Sequence, residues 1–117
     1  MFDKVWLINH NVKMYEIELT EIFEDWLSKL KDTRAVKIIT ARLERMKNGN
    51  LADCKHLKNA NNIYELRIDY AKGYRIYFAK RNNRLIIILC AGDKKTQTKD
   101  INRAQEILKE VIENDKN

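Results

Sequence analysis

The stretch Ile63-Tyr64-Glu65-Leu66-Arg67-Ile68-Asp69-Tyr70-Ala71-Lys72-Gly73-Tyr74-Arg75-Ile76-Tyr77-Phe78-Ala79 decides the fold. Its residues alternate. Tyr64, Leu66, Ile68 and Tyr70 fall on one side, and Ile63, Glu65, Arg67 and Asp69 on the other. After the break, Tyr74, Ile76 and Phe78 oppose Arg75, Tyr77 and Ala79. A period of two is that of strands with one face buried. Ala71-Lys72-Gly73 reads as a three-residue hairpin loop, with glycine at the left-handed position. That loop predicts Tyr70 opposite Tyr74, Ile68 opposite Ile76 and Leu66 opposite Phe78. On the other face it sets Arg67 against Tyr77 and Asp69 against Arg75.

Working outward, Asn82-Asn83 reads as a tight turn, because asparagine tolerates positive φ. Leu85-Ile86-Ile87-Ile88-Leu89-Cys90 is apolar on both faces, which marks a central strand. Gly92 ends it. Thr98 or Asp100 is placed to cap a last helix with the stripe Ile101, Ala104, Ile107, Leu108, Val111 and Ile112. Upstream, Met14-Tyr15-Glu16-Ile17-Glu18-Leu19 alternates as a strand. Thr20 is an N-cap with Glu21, Glu24 and Asp25 in the first turn. Ile22, Phe23, Trp26, Leu27 and Leu30 form one helical stripe. Val36, Ile39, Leu43 and Met46 form a second, opened at Asp32 or Thr33 and closed by Gly49. The order β-α-α-β-β-β-α predicts an α+β fold: a twisted, mostly antiparallel sheet packed against a helical hairpin and a C-terminal helix. Residues 14–117 read as a single domain. Residues 1–13 stand apart as an N-terminal extension: an extra strand, a disordered leader, or the product of an upstream start codon.

The chain has 117 residues and a formal net charge of +6. The excess is not spread evenly. Residues 55–99 carry eleven basic and three acidic side chains, whereas residues 1–54 carry nine of each. Concentrated positive charge favours a polyanion through counterion release. No apolar run approaches the roughly 18 residues needed to span a bilayer, so a membrane protein is not expected. Two cysteines, Cys54 and Cys90, make no disulfide scaffold, and no CxxC or HxxxH spacing suggests a metal site. No signal-peptide pattern opens the chain, so the expected compartment is the cytoplasm. No nucleophile set, P-loop or GxGxxG motif is present.

The polar face of the hairpin carries the chemistry. Glu65, Arg67, Arg75 and Tyr77 project from two paired strands, with cross-strand neighbours about 5 Å apart. Two guanidinium forks suit a phosphate. Tyr77 offers a ring for base stacking, and Glu65 a carboxylate able to take a proton from a ribose hydroxyl. The bland alternative is a surface lattice of salt bridges worth little. Gly92-Asp93-Lys94-Lys95-Thr96-Gln97 suits phosphate contact, with Lys95 and Gln97 as binding residues. Lys55, His56 and Lys58 add charge before the hairpin.

These residues resemble the RelE/ParE superfamily of toxin–antitoxin toxins, most nearly the HigB-like addiction module killer proteins related to the phage Gp49 group. The resemblance rests on Phe23-Glu24-Asp25-Trp26-Leu27, Ala41-Arg42-Leu43, Gly49-Asn50, Glu65-Leu66-Arg67-Ile68, Gly73-Tyr74-Arg75-Ile76-Tyr77-Phe78, Gly92-Asp93-Lys94-Lys95-Thr96-Gln97 and Asp100-Ile101. It implies a ribosome-dependent endoribonuclease that cuts mRNA without a metal or other cofactor, by attack of a 2′-OH on its neighbouring phosphate. It implies Arg75 as the phosphate-stabilising residue, Arg67 near a second basic position, and Lys94 or Lys95 as a third. A cognate helix-turn-helix antitoxin, the ribosome and mRNA are the implied partners. Two departures stand out. Thr98, Lys99 and Asp100 occupy the region where studied RelE-type toxins carry a tyrosine, and Glu65 stands where they carry a lysine. Glu65 or His56 then becomes the candidate base, with a lysine of the Lys94-Lys95 pair as acid. The same resemblance leaves two alternatives: a ParE-like inhibitor of DNA gyrase, or a non-catalytic phage–host interaction module.

Overall fold

The computed structural model describes residues 14–115; the N-terminal extension lies outside the described residues. Strand β1 (Glu16–Leu19) leads into helix α1 (Glu21–Ser28) and helix α2 (Thr33–Lys47). Strands β2 (Cys54–His56), β3 (Tyr64–Ile68), β4 (Tyr74–Arg81) and β5 (Leu85–Gly92) follow. A 3-10 turn (Lys94–Thr96) then runs into helix α3 (Gln97–Asp115). The sheet order is β1-β5-β4-β3-β2. β1 pairs with β5 in parallel, and the other pairings are antiparallel. This is the expected α+β architecture with one strand more than the sequence pattern gave. β2 is only three residues long, with no alternation to betray it, and is fixed by pairing Cys54, Lys55 and His56 with Leu66, Glu65 and Tyr64.

The helix signals hold. Thr20 Oγ1 accepts from Phe23 N at 3.2 Å, and the same hydroxyl reaches the Ile88 and Leu89 carbonyls of β5. The cap therefore also anchors α1 to the central strand. Asp32 caps α2 by accepting from the Arg34 and Ala35 amides, each at 3.1 Å. At its other end Gly49 takes φ +94°, Gly49 N donates to Met46 O, and Asn50 N donates to Arg45 O. That pair of bonds is a Schellman motif, for which glycine is the favoured residue. The last helix differs from expectation. Asp93, not Thr98 or Asp100, is the capping residue, accepting from Lys95 N and Thr96 N at the head of the 3-10 turn.

The sheet separates two cores. Leu66, Ile68, Ile76, Phe78, Ile86 and Ile88 pack beneath the α1–α2 hairpin with Phe23, Ile39 and Met46. Ile63, Tyr77, Ala79, Ile87, Leu89 and Cys90 pack beneath α3 with Ala104, Ile107 and Leu108. β5 serves both. Tyr77 pairs with Cys90 and Phe78 with Ile88, so Leu89 is an extra residue in β5. Such a bulge puts two consecutive side chains, Leu89 and Cys90, in the core beneath α3.

The β3–β4 register also departs from expectation. Ile68 pairs with Tyr74, Leu66 with Ile76, Arg67 with Arg75 and Glu65 with Tyr77. The loop spans five residues, Asp69 to Gly73. Tyr70 leaves the ladder because its hydroxyl bonds Asp32 at 3.3 Å and its ring sits under the Arg34 guanidinium at 5.8 Å, both at the start of α2. Ala71 and Gly73 then turn the chain at φ +52° and +71°. The shift keeps every side chain on its expected face but exchanges its partners. Asn82 and Asn83 take φ +55° and +59°, and Arg84 N donates to Arg81 O, a tight turn of the kind the asparagines signalled.

Candidate functional site

Two rows of side chains cross the face beneath α3. Lys55, Glu65, Tyr77 and Cys90 stand opposite one another in sequence, and Arg67, Arg75 and Gly92 form the row beside them. Like charges directly opposite each other destabilise a sheet, so Arg67 against Arg75 has a structural cost. Arg67 turns away from it. Its Nε donates to Glu65 Oε1 at 2.9 Å, and its side chain remains 49% exposed. Glu65 is fully buried and takes a second bond from Gln97 Nε2 of α3 at 2.7 Å. Burial alone would raise the Glu65 carboxyl. The Arg67 and Gln97 donors outweigh it and hold its pKa below the ordinary value. Glu65 is thus an ionised clamp that fixes one arginine of β3 and the first residue of α3.

Arg75 is not the exposed fork that the alternation implied. It is 7% exposed, its Nε has no hydrogen-bond partner, and its Nη1 makes one long bond of 3.5 Å to Gly73 O. Among the described residues no carboxylate pairs with it. A buried guanidinium left this way is costly. The Gly73 corner lies over it: a Cβ on Gly73 would stand 3.7 Å from Arg75 Nη1 and 3.6 Å from Lys94 Cβ. Lys94 and Lys95 are exposed on the 3-10 turn. Asp100 is buried and accepts from Thr96 Oγ1, close against Gly92.

A groove of about 340 Å³ runs along this face between α3 and the segment from β2 to Ala60. Lys55, Lys58, Arg67 and Gln97 line it together with Leu57 and Asn59. Four of the residues singled out in the sequence therefore meet at one place. Two others do not. Tyr77 is fully buried in the α3 core, so it offers no ring to a base. Its hydroxyl is turned toward the Glu65 carboxylate, and burial followed by the Glu65 charge pushes its pKa upward. His56 points to the opposite face, stacked on Tyr64 at 4.7 Å, and cannot share chemistry with Arg67. Leu57 and Asn59 carried no signal in the sequence; a loop sits against α3 only once β2 has paired. Burial pushes the Cys54 thiol up to about 11 and Cys90 to about 12, so both are protonated and unreactive at neutral pH.

The architecture is the RelE-like fold. The free E. coli toxin RelE, solved as a double arginine-to-alanine mutant, matches with a TM-score of 0.61 at 14% identity, over 79% of this chain and 94% of that one. RelBE2, a toxin–antitoxin complex of Mycobacterium tuberculosis, gives 0.55 at 14% identity over 70% and 93%. The RelB–RelE antitoxin–toxin complex of Methanococcus jannaschii gives 0.51 at 20% identity over 70% and 95%. The sequence is more specific: the chain belongs to the phage derived protein Gp49-like family (DUF891), whose model matches residues 25–109. An uncharacterized protein of Haemophilus influenzae is 46% identical over 96 residues, which are 82% of this chain and 95% of that protein. No helix among the described residues is long and apolar enough to cross a membrane.

Proposed function

We propose that this chain is the toxin of a type II toxin–antitoxin pair and that it cuts mRNA on the ribosome in the cytoplasm. The observation that carries the proposal is the Arg67–Arg75 pair. Two like charges stand directly opposite on β3 and β4: Arg67 lines the lysine-bearing groove and is clamped by a buried carboxylate, while Arg75 is buried with its Nε unpartnered. A phosphate placed there would satisfy both. The reaction is attack of the 2′-OH on the adjacent phosphorus: the O2′–P bond forms as the 2′-OH proton passes to solvent water, the P–O5′ bond breaks, and a proton reaches the departing O5′. Arg75 and Arg67 stabilise the added charge on phosphorus. The Lys94 ammonium, with Lys95 beside it, supplies the proton to O5′. Glu65 acts as a positioning residue for Arg67 and Gln97, since a buried carboxylate already holding two donors is a poor base. Lys55 and Lys58 hold the strand by its phosphates. A cognate helix-turn-helix antitoxin neutralises the protein by covering this basic groove. That the structural neighbours include antitoxin–toxin complexes supports such a partner.

The burial of Arg75 favours a second reading, in which the face binds a protein such as DNA gyrase and cuts nothing. Inducing the protein in cells, mapping mRNA 5′ ends, and running purified ribosome and gyrase supercoiling assays separates the two. New 5′ ends at codon boundaries that require ribosomes support cutting. Gyrase inhibition with intact mRNA would overturn it.

A further inference from the structure

A second groove, of about 330 Å³, opens on the far side of the 3-10 turn. Trp26, Tyr74, Lys72, Arg103, Thr96 and Asp100 are among the residues that line it. Trp26 is half-buried, stacked on Phe23 at 5.9 Å and edge-on to Tyr74 at 5.9 Å and 75°, so the indole is held in place. Lys72 and Arg103 are exposed at its rim, one from the β3–β4 loop and one from α3. The Lys72 carbonyl accepts from Lys94 N, which links this groove to the corner over Arg75. A fixed aromatic wall sharing a groove with two cations suits one stacked base with its phosphate, the cations outweighing the local charge of Asp93 and of Asp100, which is turned to Thr96. The volume lies at the small end of ligand sites and suits a single nucleotide unit.

We propose that this groove holds one nucleotide of a single-stranded RNA, its base against Trp26 and its phosphate between Lys72 and Arg103. The inference extends the nuclease reading by giving the strand a second foothold beyond the Arg67–Arg75 site. Its test needs neither ribosome nor cleavage. Trp6→Phe leaves Trp26 as the only indole, because the chain has two tryptophans. That variant, titrated with an unlabelled RNA hexamer, is expected to show saturable quenching of Trp26 emission. By anisotropy of a labelled hexamer, Trp26→Leu binds about 5- to 100-fold more weakly, whereas Trp26→Phe, which keeps a ring on Phe23, loses less. Arg103→Gln weakens binding and lowers the salt slope by about one. Lys109→Gln, on the same helix but outside the groove, changes neither. Hexamer binding with no quenching, and with Trp26→Leu equal to the parent, overturns the proposal. Quenching in a protein that leaves cellular mRNA intact sinks the nuclease reading and leaves the nucleotide groove standing. Ribosome-dependent cutting with a silent Trp26 does the reverse.

Discussion

Arg75 is the residue on which stability and the proposed function pull in opposite directions. Among the described residues no carboxylate pairs its charge, so an apolar side chain of similar length should be tolerated better than the arginine itself. Arg75→Met is expected to stabilise the protein by about 1–4 kcal/mol in urea denaturation while removing mRNA cutting. A destabilised Arg75→Met would mean that the guanidinium serves the fold. Glu65 behaves oppositely. Its pKa is lowered in the folded protein from an ordinary 4.5, so its stabilisation is complete above that value and is lost as pH falls through the lower, folded value. Glu65→Gln should cost about 1–3 kcal/mol at pH 7, and its stability should vary less than the parent's below pH 4.5. Equal acid sensitivity in both proteins would count against the clamp. Alternation alone put Glu65, Arg67 and Arg75 on one face. It was silent on depth, because an arginine in a strand reads as exposed until the turn and helix that cover it are known. Tyr77 escapes alternation for the same reason: its ring belongs to the α3 core.

At the scale of elements, caps and turns were readable because their signals are local. Thr20, Asp32, Gly49 and Asn82-Asn83 each act within a few residues of their own position. What lay beyond reading was long-range. Strand β2 exists through its partner β3, the Leu89 bulge hides inside a run that is apolar on both faces, and Tyr70 is drawn out of the hairpin by Asp32 and Arg34 of α2. The β5–α3 junction makes a sharp prediction. A Cβ on Gly92 would stand 1.8 Å from Asp100 Oδ2 and 2.7 Å from Thr96 Oγ1. Gly92→Ala must displace the Asp100 carboxylate and its bond from Thr96 Oγ1, at a cost of about 1–3 kcal/mol. Thermal denaturation is expected to show a clear loss. A Gly92→Ala protein as stable as the parent would mean that the Asp100 contact is not tight.

For the whole molecule, the relevant quantity is where the charge sits. The basic block of residues 55–99 contributes Lys55, Lys58 and Arg67 to the groove, and Lys94 and Lys95 to the adjoining turn. On the proposed function, ribosome affinity should fall steeply with salt, and Lys55→Gln or Lys58→Gln should each reduce the log–log slope by about one. An unchanged slope would move the contact elsewhere on the surface. Two cores on either side of one sheet hold this groove rigid while leaving its two walls, α3 and the segment after β2, on separate elements.

The most direct test of the central claim is the single-turnover rate of mRNA cutting on purified, programmed ribosomes, measured for the parent and for Arg75→Ala. If Arg75 grips the scissile phosphate, the parent cuts in a ribosome-dependent manner and the variant loses about 100- to 1000-fold, the scale of removing one charge-stabilising donor. An Arg75→Ala protein that cuts at the parental rate, or a folded parent that cuts nothing, would contradict it.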